Sequence, residues 1–234
     1  MNVIDRLNHI RKHLKEGVRL VAVSKFQNSE SILEVYNAGQ RLFGENKVKE
    51  LYHKYQQLPK DIEWHFIGHL QTNKLNYVVP FVDTIHSIDS FRLLNKTNYC
   101  ALKYNRRIKV LLQMHIAKEV NKFGFSFGEV ENLLSDKLWK TFKNVDIIGL
   151  MGMASFTENQ DQITKEFSSL SNFFLKLKNQ YFFDKKNFKE LSMGMSGDYL
   201  LAIKQGSTMV RIGSSIFGKK TKNNEINSEI EREI

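Results

Sequence analysis

The chain has 234 residues, of which 41% are hydrophobic and 26% are charged, and its 35 Lys and Arg residues outnumber its 25 Asp and Glu residues to give a formal net charge of +10. This length suits one α/β domain and is short for two, and no apolar run is long enough to cross a bilayer. The basic residues are spread among acidic ones and accompany no zinc-finger, RNA-binding or basic-heptad motif, so the charge indicates a lysine-rich surface rather than a nucleic-acid-binding protein.

The N-terminal segment and the cysteine content both favour a cytoplasmic protein. Residues 1–17 have no apolar core followed by small residues and therefore do not resemble a signal peptide. The single cysteine, Cys100, excludes a disulfide framework within the chain and favours a reducing compartment. The apolar residues of the N-terminal segment instead recur at helical spacing, which predicts an amphipathic helix. Its apolar face comprises Val3, Ile4, Leu7, Ile10 and Leu14.

Short apolar or β-branched runs alternate with longer segments of helical spacing over the rest of the chain. The runs predict strands at residues 19–24, 41–45, 63–68, 84–88, 109–116, 146–152, 190–194 and 208–213. The intervening segments predict helices that include 29–39, 90–104, 126–136 and 161–180. Eight strands alternating with helices are typical of a single parallel (β/α)8 barrel, which we assign to residues 1–218, with a polar tail at 219–234. A doubly wound open sheet is the alternative, although it usually has fewer strands, and no GxGxxG motif follows the first strand.

Lys25 directly follows the first predicted strand. In a barrel of this kind the functional residues lie where strands end and the following loops begin, and Val21, Val23 and Lys25 share one face of the strand. One interpretation of Lys25 is an ordinary solvent-exposed lysine. The other is a lysine that faces the barrel, where desolvation lowers the pKa and leaves a neutral amine able to attack an aldehyde. The second interpretation makes Lys25 a candidate Schiff-base residue.

The segments at the ends of the last two predicted strands, SMGMS and RIGSS, are rich in serine and glycine. Glycine allows backbone N–H groups to approach an anion closely, and serine hydroxyls add further donors. Loops at this place in a barrel often bind phosphate. The candidate phosphate ligands are Ser192, Ser196, Gly213 and Ser214. Arg211 is either a cation that lines the same pocket or a partner of a buried carboxylate or carbonyl.

The histidines and carboxylates predict no metal site. His65 and His69 have a spacing that suits zinc on a helix, but their surroundings are strand-like and lack the glutamate of a metalloprotease helix. His86 and His115 occur singly, which is typical of structural, hydrogen-bonded histidines. The predicted strand ends also lack the group of carboxylates expected of a sugar hydrolase or a magnesium-dependent enolase.

Six segments carry a resemblance to a known family. They are LVAVSK (20–25), FGEN (43–46), WHFIGHLQTNK (64–74), VLLQMHIAKEVNKFGF (110–125), IIGLMGMASF (147–156) and LSMGMSGDYLLAIKQGSTMVRIGSSIFG (191–218). Together and in this order they resemble the pyridoxal phosphate homeostasis proteins, also called YggS-like or PROSC-like proteins. The resemblance implies a single barrel similar to the N-terminal domain of alanine racemase.

The resemblance also implies a cofactor, pyridoxal 5′-phosphate, and the residues that bind it. The matching residues are Lys25, Asn46, Ser196, Arg211, Gly213 and Ser214. Lys25 would form a Schiff base with the cofactor, and the serines and glycine would bind its phosphate. Arg211 would face the pyridine ring, and Asn46 would lie near the Schiff base. An arginine beside the ring nitrogen disfavours protonation of the ring, which makes the ring a weaker electron sink.

The same resemblance implies a function in vitamin B6 homeostasis. The protein would bind pyridoxal phosphate reversibly and buffer it or deliver it to pyridoxal-phosphate-dependent apo-enzymes, as a cytoplasmic monomer with no nucleic-acid or membrane partner. A racemase needs an acid or base on each face of the cofactor, and alanine racemases take a tyrosine from a C-terminal domain for which this chain leaves no room. We therefore expect a protein with no established catalytic activity. The alternative is a slow amino-acid racemase or lyase.

Overall fold

Eight parallel strands pair in chain order and close into a barrel. The computed structural model describes residues 1–119 and 123–218, so the predicted polar tail at 219–234 lies outside the described residues. The strands are β1 (Arg19–Val23), β2 (Leu42–Glu45), β3 (Glu63–Phe66), β4 (Thr84–Ile88), β5 (Ile108–Met114), β6 (Val145–Gly152), β7 (Glu190–Ser192) and β8 (Met209–Ile212). Each strand lies where it was predicted, with bounds that differ by two residues at most. The prediction of a parallel (β/α)8 barrel is confirmed.

Helices follow the strands and cover the outside of the barrel. They are α1 (Val3–His13), α2 (Ser29–Asn37), α3 (Val48–Gln57), α4 (Phe91–Lys103), α5 (Phe127–Ser135), α6 (Gln160–Tyr181), α7 (Tyr199–Lys204) and α8 (Ser214–Phe217), with 3-10 helices at Thr72–Tyr77 and Leu138–Thr141. The four helices predicted by range correspond to α2, α4, α5 and α6. Helices α3 and α7 were not among the helices given by range, and neither has a side-chain hydrogen bond at its N-cap. Within the described residues, no helix is both long enough and apolar enough to span a membrane.

Helix α1 is amphipathic as predicted, with one correction. Leu7 and Ile10 are buried, but Ile4, which was predicted on the same face, is 39% exposed because it lies at the margin of the apolar stripe. The side chain of Arg6 donates from Nε to the carbonyl oxygen of Ile216 at 2.6 Å. Helix α1 therefore packs beside α8, at the seam where β1 pairs with β8.

The barrel has an apolar outer layer and a partly polar lumen. Strand residues that face the helices join one large hydrophobic core, as expected of parallel strands covered on both faces. Two smaller clusters are separate from that core and comprise Val21, Leu42 and Met209, and Leu111, Ile148 and Met151. The buried polar residues on the inward-facing positions of the strands include His65, His86, Ser192 and Arg211.

Candidate functional site

Lys25 lies in the turn that follows β1. The strand ends at Val23, and Phe26 adopts the left-handed conformation with φ 64° in the turn that follows. Lys25 itself is exposed. This exposure agrees with the first interpretation of Lys25, a solvent-exposed lysine, and does not agree with a desolvated ammonium. The amine of Lys25 is open to solvent at the carboxyl end of the barrel.

A buried ionic group, which the sequence did not predict, lies next to this turn. Lys54 on α3 donates from Nζ to the carbonyl oxygen of Ser24 at 2.7 Å. The same Nζ lies 2.7 Å from Glu45 Oε1 and 2.7 Å from Glu50 Oε1. Ser24 Oγ also donates to Glu45 Oε1 at 2.6 Å. We call Ser24, Glu45, Glu50 and Lys54 the Lys54 cluster.

The Lys54 cluster holds the backbone on both sides of Lys25. Lys54 binds the carbonyl oxygen of Ser24, the preceding residue. Glu50 Oε1 accepts from the backbone N–H of Phe26, the following residue, at 2.5 Å. Two charged side chains of one helix therefore fix the turn that presents the amine. A partial signal was present in the sequence, because Glu50 and Lys54 are four residues apart on α3, the spacing of a helical ion pair.

Glu45 is the least well compensated member of the Lys54 cluster. Burial, together with the negative charge of Glu50, raises the pKa of Glu45 to about 7 despite the opposing contributions of Lys54 and Ser24. Its second oxygen, Oε2, is buried and has no hydrogen-bond partner among the residues that the structure describes. Ionisation of Glu45 is therefore costly inside the barrel wall.

Asn46 follows β2 and carries an unpaired amide oxygen. Its Oδ1 is buried without a hydrogen-bond partner in the described part of the chain. Its backbone touches Gly68, where an added Cβ would lie 2.1 Å from the carbonyl oxygen of Asn46, so only glycine lets the loops after β2 and β3 meet here. A buried acceptor is costly unless a partner satisfies it, which makes Asn46 a candidate ligand contact.

The loops after β7 and β8 meet at Ser196. The backbone N–H groups of Gly213 and Ser215 both point at Ser196 Oγ, at 3.4 Å each. Because these distances are long for hydrogen bonds, both donors can turn to a stronger acceptor. Gly213 also lies against β1, since an added Cβ would be 3.1 Å from the carbonyl oxygen of Val23. Ser196, Gly213 and the exposed Ser214 thus lie together beside the end of β1.

Arg211 is buried in the lumen and binds backbone carbonyls. Its Nη1 donates to Ser192 O at 2.8 Å and to Ser192 Oγ at 2.6 Å, and its Nη2 donates to Gly152 O at 3.1 Å. Burial lowers the pKa of Arg211 to about 10, although the charge of Asp198 opposes this shift. Ser192 was grouped with the phosphate ligands, but its hydroxyl is fully buried and contacts Arg211 and His86 instead.

The histidines hold structural positions. His65 and His86 are fully buried and lie 2.7 Å apart between Nδ1 of the first and Nε2 of the second. His69 pairs with Asp89 at 3.0 Å, and His115 hydrogen-bonds a backbone carbonyl in its own loop. His86 and His115 are thus hydrogen-bonded residues, as predicted.

The chain matches one family model over most of its length. The family described as "Alanine racemase, N-terminal domain" matches residues 2–221. The chain is also similar to curated relatives named pyridoxal phosphate homeostasis protein. The relative from Aquifex aeolicus is 34% identical over 231 residues, which cover 94% of this chain and 99% of the relative. The relative from Schizosaccharomyces pombe is 39% identical over 222 residues, which cover 92% of this chain and 91% of the relative.

Solved structures share the barrel. PipY of Synechococcus elongatus, solved without pyridoxal phosphate, has a TM-score of 0.87 and 35% identity and covers 93% of this chain and 100% of its own. The structure of PipY with pyridoxal phosphate bound has a TM-score of 0.84 and 34% identity, and it covers 93% of this chain and 100% of its own. An alanine racemase from Clostridium difficile has a TM-score of 0.72 at 14% identity and covers 95% of this chain and 61% of its own, which supports the fold alone.

Proposed function

Because the chain belongs to the alanine racemase N-terminal domain family and, within it, to the pyridoxal phosphate homeostasis proteins, we propose that it binds pyridoxal 5′-phosphate and takes part in vitamin B6 homeostasis. One observation carries the proposal. An exposed amine, Lys25, follows β1, and a group of anion-binding donors, Ser196, Gly213 and Ser214, gathers beside the end of the same strand. Lys25 follows β1, and Gly213 and Ser214 follow β8. These two strands are neighbours in the barrel.

The residues at this end of the barrel fit the cofactor. When bound, pyridoxal phosphate supplies an aldehyde that condenses with a primary amine and a phosphate that needs hydrogen-bond donors. Lys25 provides an accessible amine. The N–H groups of Gly213 and Ser215 are held only at 3.4 Å by a serine oxygen, and a phosphate oxygen is a stronger acceptor. Asn46 provides a buried oxygen that has no partner among the described residues.

Each residue has a separate task in this proposal. Lys25 holds the cofactor covalently through Nζ, while Ser196, Gly213 and Ser214 bind the phosphate and set its orientation. Arg211 faces the ring from the lumen, where its guanidinium can donate hydrogen bonds but cannot accept one. A donor of such high pKa keeps its proton, so the ring nitrogen beside it stays unprotonated. This arrangement favours holding the cofactor over stabilising the carbanions that turnover requires.

The exposure of Lys25 favours release of the cofactor as well as binding. An amine open to solvent can be reached by water or by an amine of another protein, and one of these is needed to return the cofactor. We propose that the protein, as a cytoplasmic monomer, buffers pyridoxal phosphate or delivers it to pyridoxal-phosphate-dependent apo-enzymes. Delivery is tested by mixing the loaded protein with an apo-aminotransferase and a phosphatase that destroys the free cofactor. Recovery of activity supports direct transfer, and its abolition by the phosphatase contradicts it.

The proposed binding is tested by spectroscopy and mass mapping. Pyridoxal phosphate is added to the purified protein, the visible absorption band is recorded, and the complex is reduced with borohydride and digested. We expect the label on Lys25, with no band and no label in Lys25→Ala. Lys47→Ala is the matched control, because Lys47 is another exposed lysine at the same end of the barrel, and it should behave as wild type. A label on another lysine would overturn the site.

A further inference from the structure

A continuous row of polar contacts crosses the barrel lumen from Arg211 to Asp83. Arg211 Nη1 lies 2.6 Å from Ser192 Oγ, which lies 3.1 Å from His86 Nδ1. His86 Nε2 lies 2.7 Å from His65 Nδ1, and His65 Nε2 lies 3.6 Å from Asp83 Oδ1. We call these residues the lumen chain. Its members come from β8, β7, β4 and β3 and from the residue before β4.

The two ends of the lumen chain favour one direction for each hydrogen bond. A guanidinium only donates and a carboxylate only accepts. Arg211 therefore donates to Ser192, whose hydroxyl proton turns to His86 Nδ1. His86 then carries its own proton on Nε2 and donates to His65. The proton of His65 lies on Nε2 and faces Asp83 across 3.6 Å, which is an electrostatic contact rather than a hydrogen bond.

Burial disfavours the charged form of both imidazoles of the lumen chain. Burial lowers the pKa of His65 and lowers that of His86 well below its ordinary value. The positive charges of Arg211 and Arg19 add to the effect at His86. Burial raises the pKa of Asp83, but hydrogen bonds from its neighbours outweigh burial and hold this pKa below its ordinary range. The lumen chain thus joins a cation to an anion through a hydroxyl and two imidazoles whose charged forms are disfavoured.

The carboxylate end of the lumen chain is balanced by cations of the protein itself. Asp83 pairs with Lys109 at 3.1 Å, and the neighbouring Glu63 pairs with Arg19 at 2.9 Å. Glu63, His65 and Asp83 lie close enough to share a metal ion, but both carboxylates already have a lysine or arginine partner. These ion pairs hold the carboxylate of Asp83 in position. The carboxylate therefore favours a proton on the nitrogen of His65 that faces it.

We propose that His86 and Ser192 are positioning residues for Arg211. Three oxygens hold the guanidinium, and two of them belong to Ser192. His86 Nδ1 accepts a hydrogen bond from the hydroxyl of Ser192, which leaves a lone pair of Ser192 Oγ directed at Arg211. In this way the lumen chain holds the guanidinium of Arg211 in one orientation at the inner end of the proposed cofactor site. The role of His86 rests on the proposed function in one respect, that the bound cofactor lies against Arg211.

The proton order is tested without the cofactor. Nitrogen NMR of the ligand-free protein, labelled at histidine, reports the tautomer and charge of each ring. We expect His65 and His86 to be neutral near pH 7 with the proton of each on Nε2. An imidazolium, or a proton on Nδ1 of either ring, overturns the proposed order. This measurement stands even if the protein fails to bind pyridoxal phosphate, so the two proposals fail separately.

The positioning role is tested with two substitutions that break the lumen chain at different links. We expect His86→Phe and Ser192→Ala each to weaken pyridoxal phosphate binding about tenfold, since each removes support from a charged hydrogen-bond donor. Each should also shift the visible absorption band of the loaded protein, which a loss of folded protein alone would not move. The double variant should lose no more affinity than one single variant, because the chain is already broken.

A matched control lies outside the lumen. Thr97→Val removes another buried hydroxyl, which donates to Leu93 O at 2.8 Å on α4, and it should keep the wild-type affinity and band. If His86→Phe fails to fold, Ser192→Ala tests the same role with less disruption of the fold, because it removes only one oxygen atom. Wild-type affinity and band in Ser192→Ala, or additive losses in the double variant, overturn the positioning role.

Discussion

Lys54 and Glu45 form a buried ion pair, with 2.7 Å between Nζ and Oε1, against the backbone of the residue that precedes Lys25. The ammonium also donates to the carbonyl oxygen of that residue, Ser24, at 2.7 Å. Burying two charges has a high desolvation cost, which their attraction and further hydrogen bonds offset only while every partner is present. The turn that presents the proposed cofactor lysine therefore depends on a cation on α3.

Removal of that cation should strongly destabilise the fold. In Lys54→Met, the buried Glu45 and the partly buried Glu50 lose their common partner, so we expect a loss of about 3–5 kcal/mol in the free energy of unfolding at pH 8, where Glu45 is mostly ionised. The loss is measured by urea denaturation. Lys47→Met replaces an exposed lysine at the start of the same helix and should cost less than about 0.5 kcal/mol. Equal losses in the two variants would contradict the role given to Lys54.

The raised pKa of Glu45 should make stability depend on pH. Its pKa is about 7 in the folded chain against 4.5 for the ordinary group. Between these values the folded chain binds a proton that the unfolded chain releases, so the contribution is full below pH 4.5 and is lost as the pH rises through 7. We expect a loss on the order of 1–3 kcal/mol from this residue.

The control for this pH dependence is Glu45→Gln, which cannot ionise. Unfolding free energies of both proteins are measured between pH 5 and pH 8. The wild type should lose stability relative to the variant as the pH rises, since all other carboxylates are common to the two proteins. A difference that stays constant over this range would show that Glu45 does not titrate there.

Lys25→Ala should leave the fold intact while abolishing covalent attachment of the cofactor. Because Lys25 is exposed, its truncation removes no packed group, and we expect the free energy of unfolding to change by less than about 0.5 kcal/mol. Thermal unfolding without ligand measures the stability, and retention of pyridoxal phosphate through gel filtration measures the attachment. A large fall in the melting temperature without ligand would contradict the exposed position of Lys25.

Ser196→Ala should weaken binding through the phosphate alone. Ser196 Oγ is the atom on which the N–H groups of Gly213 and Ser215 converge, and loss of one donor to a charged phosphate is worth about 1.5 kcal/mol or tenfold in affinity. Titration with pyridoxal phosphate should show this loss. Titration with pyridoxal, which lacks the phosphate, should give the wild-type affinity. An equal loss for both ligands would place Ser196 elsewhere in the site.

The loaded protein should not turn over amino acids appreciably. Arg211 offers donors and no acceptor beside the proposed ring position, which disfavours the ring protonation that carbanion chemistry uses. Chiral chromatography of amino acids incubated with the loaded protein measures the outcome against free pyridoxal phosphate. Racemisation or cleavage well above that of the free cofactor, and lost in Lys25→Ala, would favour the alternative of a slow racemase or lyase.

The strands and most helices were predictable because their signals are local. Apolar runs that end in glycine or polar residues mark the strands, and N-cap residues such as Ser90 and Ser126 mark helix starts. Helices α3 and α7, which were not given by range, have no side-chain hydrogen bond at the N-cap. The grouping of Ser196, Gly213 and Ser214 was also predictable, since the ends of neighbouring parallel strands meet at one rim of a barrel.

The surroundings of the candidate residues were not predictable from local pattern. Alternation along β1 places Lys25 on the face of Val21, but the strand ends at Val23 and Lys25 is exposed. Ser192 was grouped with the phosphate ligands by its neighbours in sequence, whereas its hydroxyl binds His86, which lies 106 residues away in the chain. Sequence proximity therefore misassigned the contacts of a residue whose partners come from distant strands.

By itself, the sequence determined the order of eight strands, the single barrel and the chemical groups at its carboxyl rim, because each depends on spacing within a short segment. Only the tertiary structure decided that Lys25 is exposed, that Lys54 is buried among carboxylates, and that a row of polar groups links Arg211 to Asp83. These properties depend on which side chains from distant strands share a space that excludes water. Barrel closure creates that space, and burial within it determines which charges need partners.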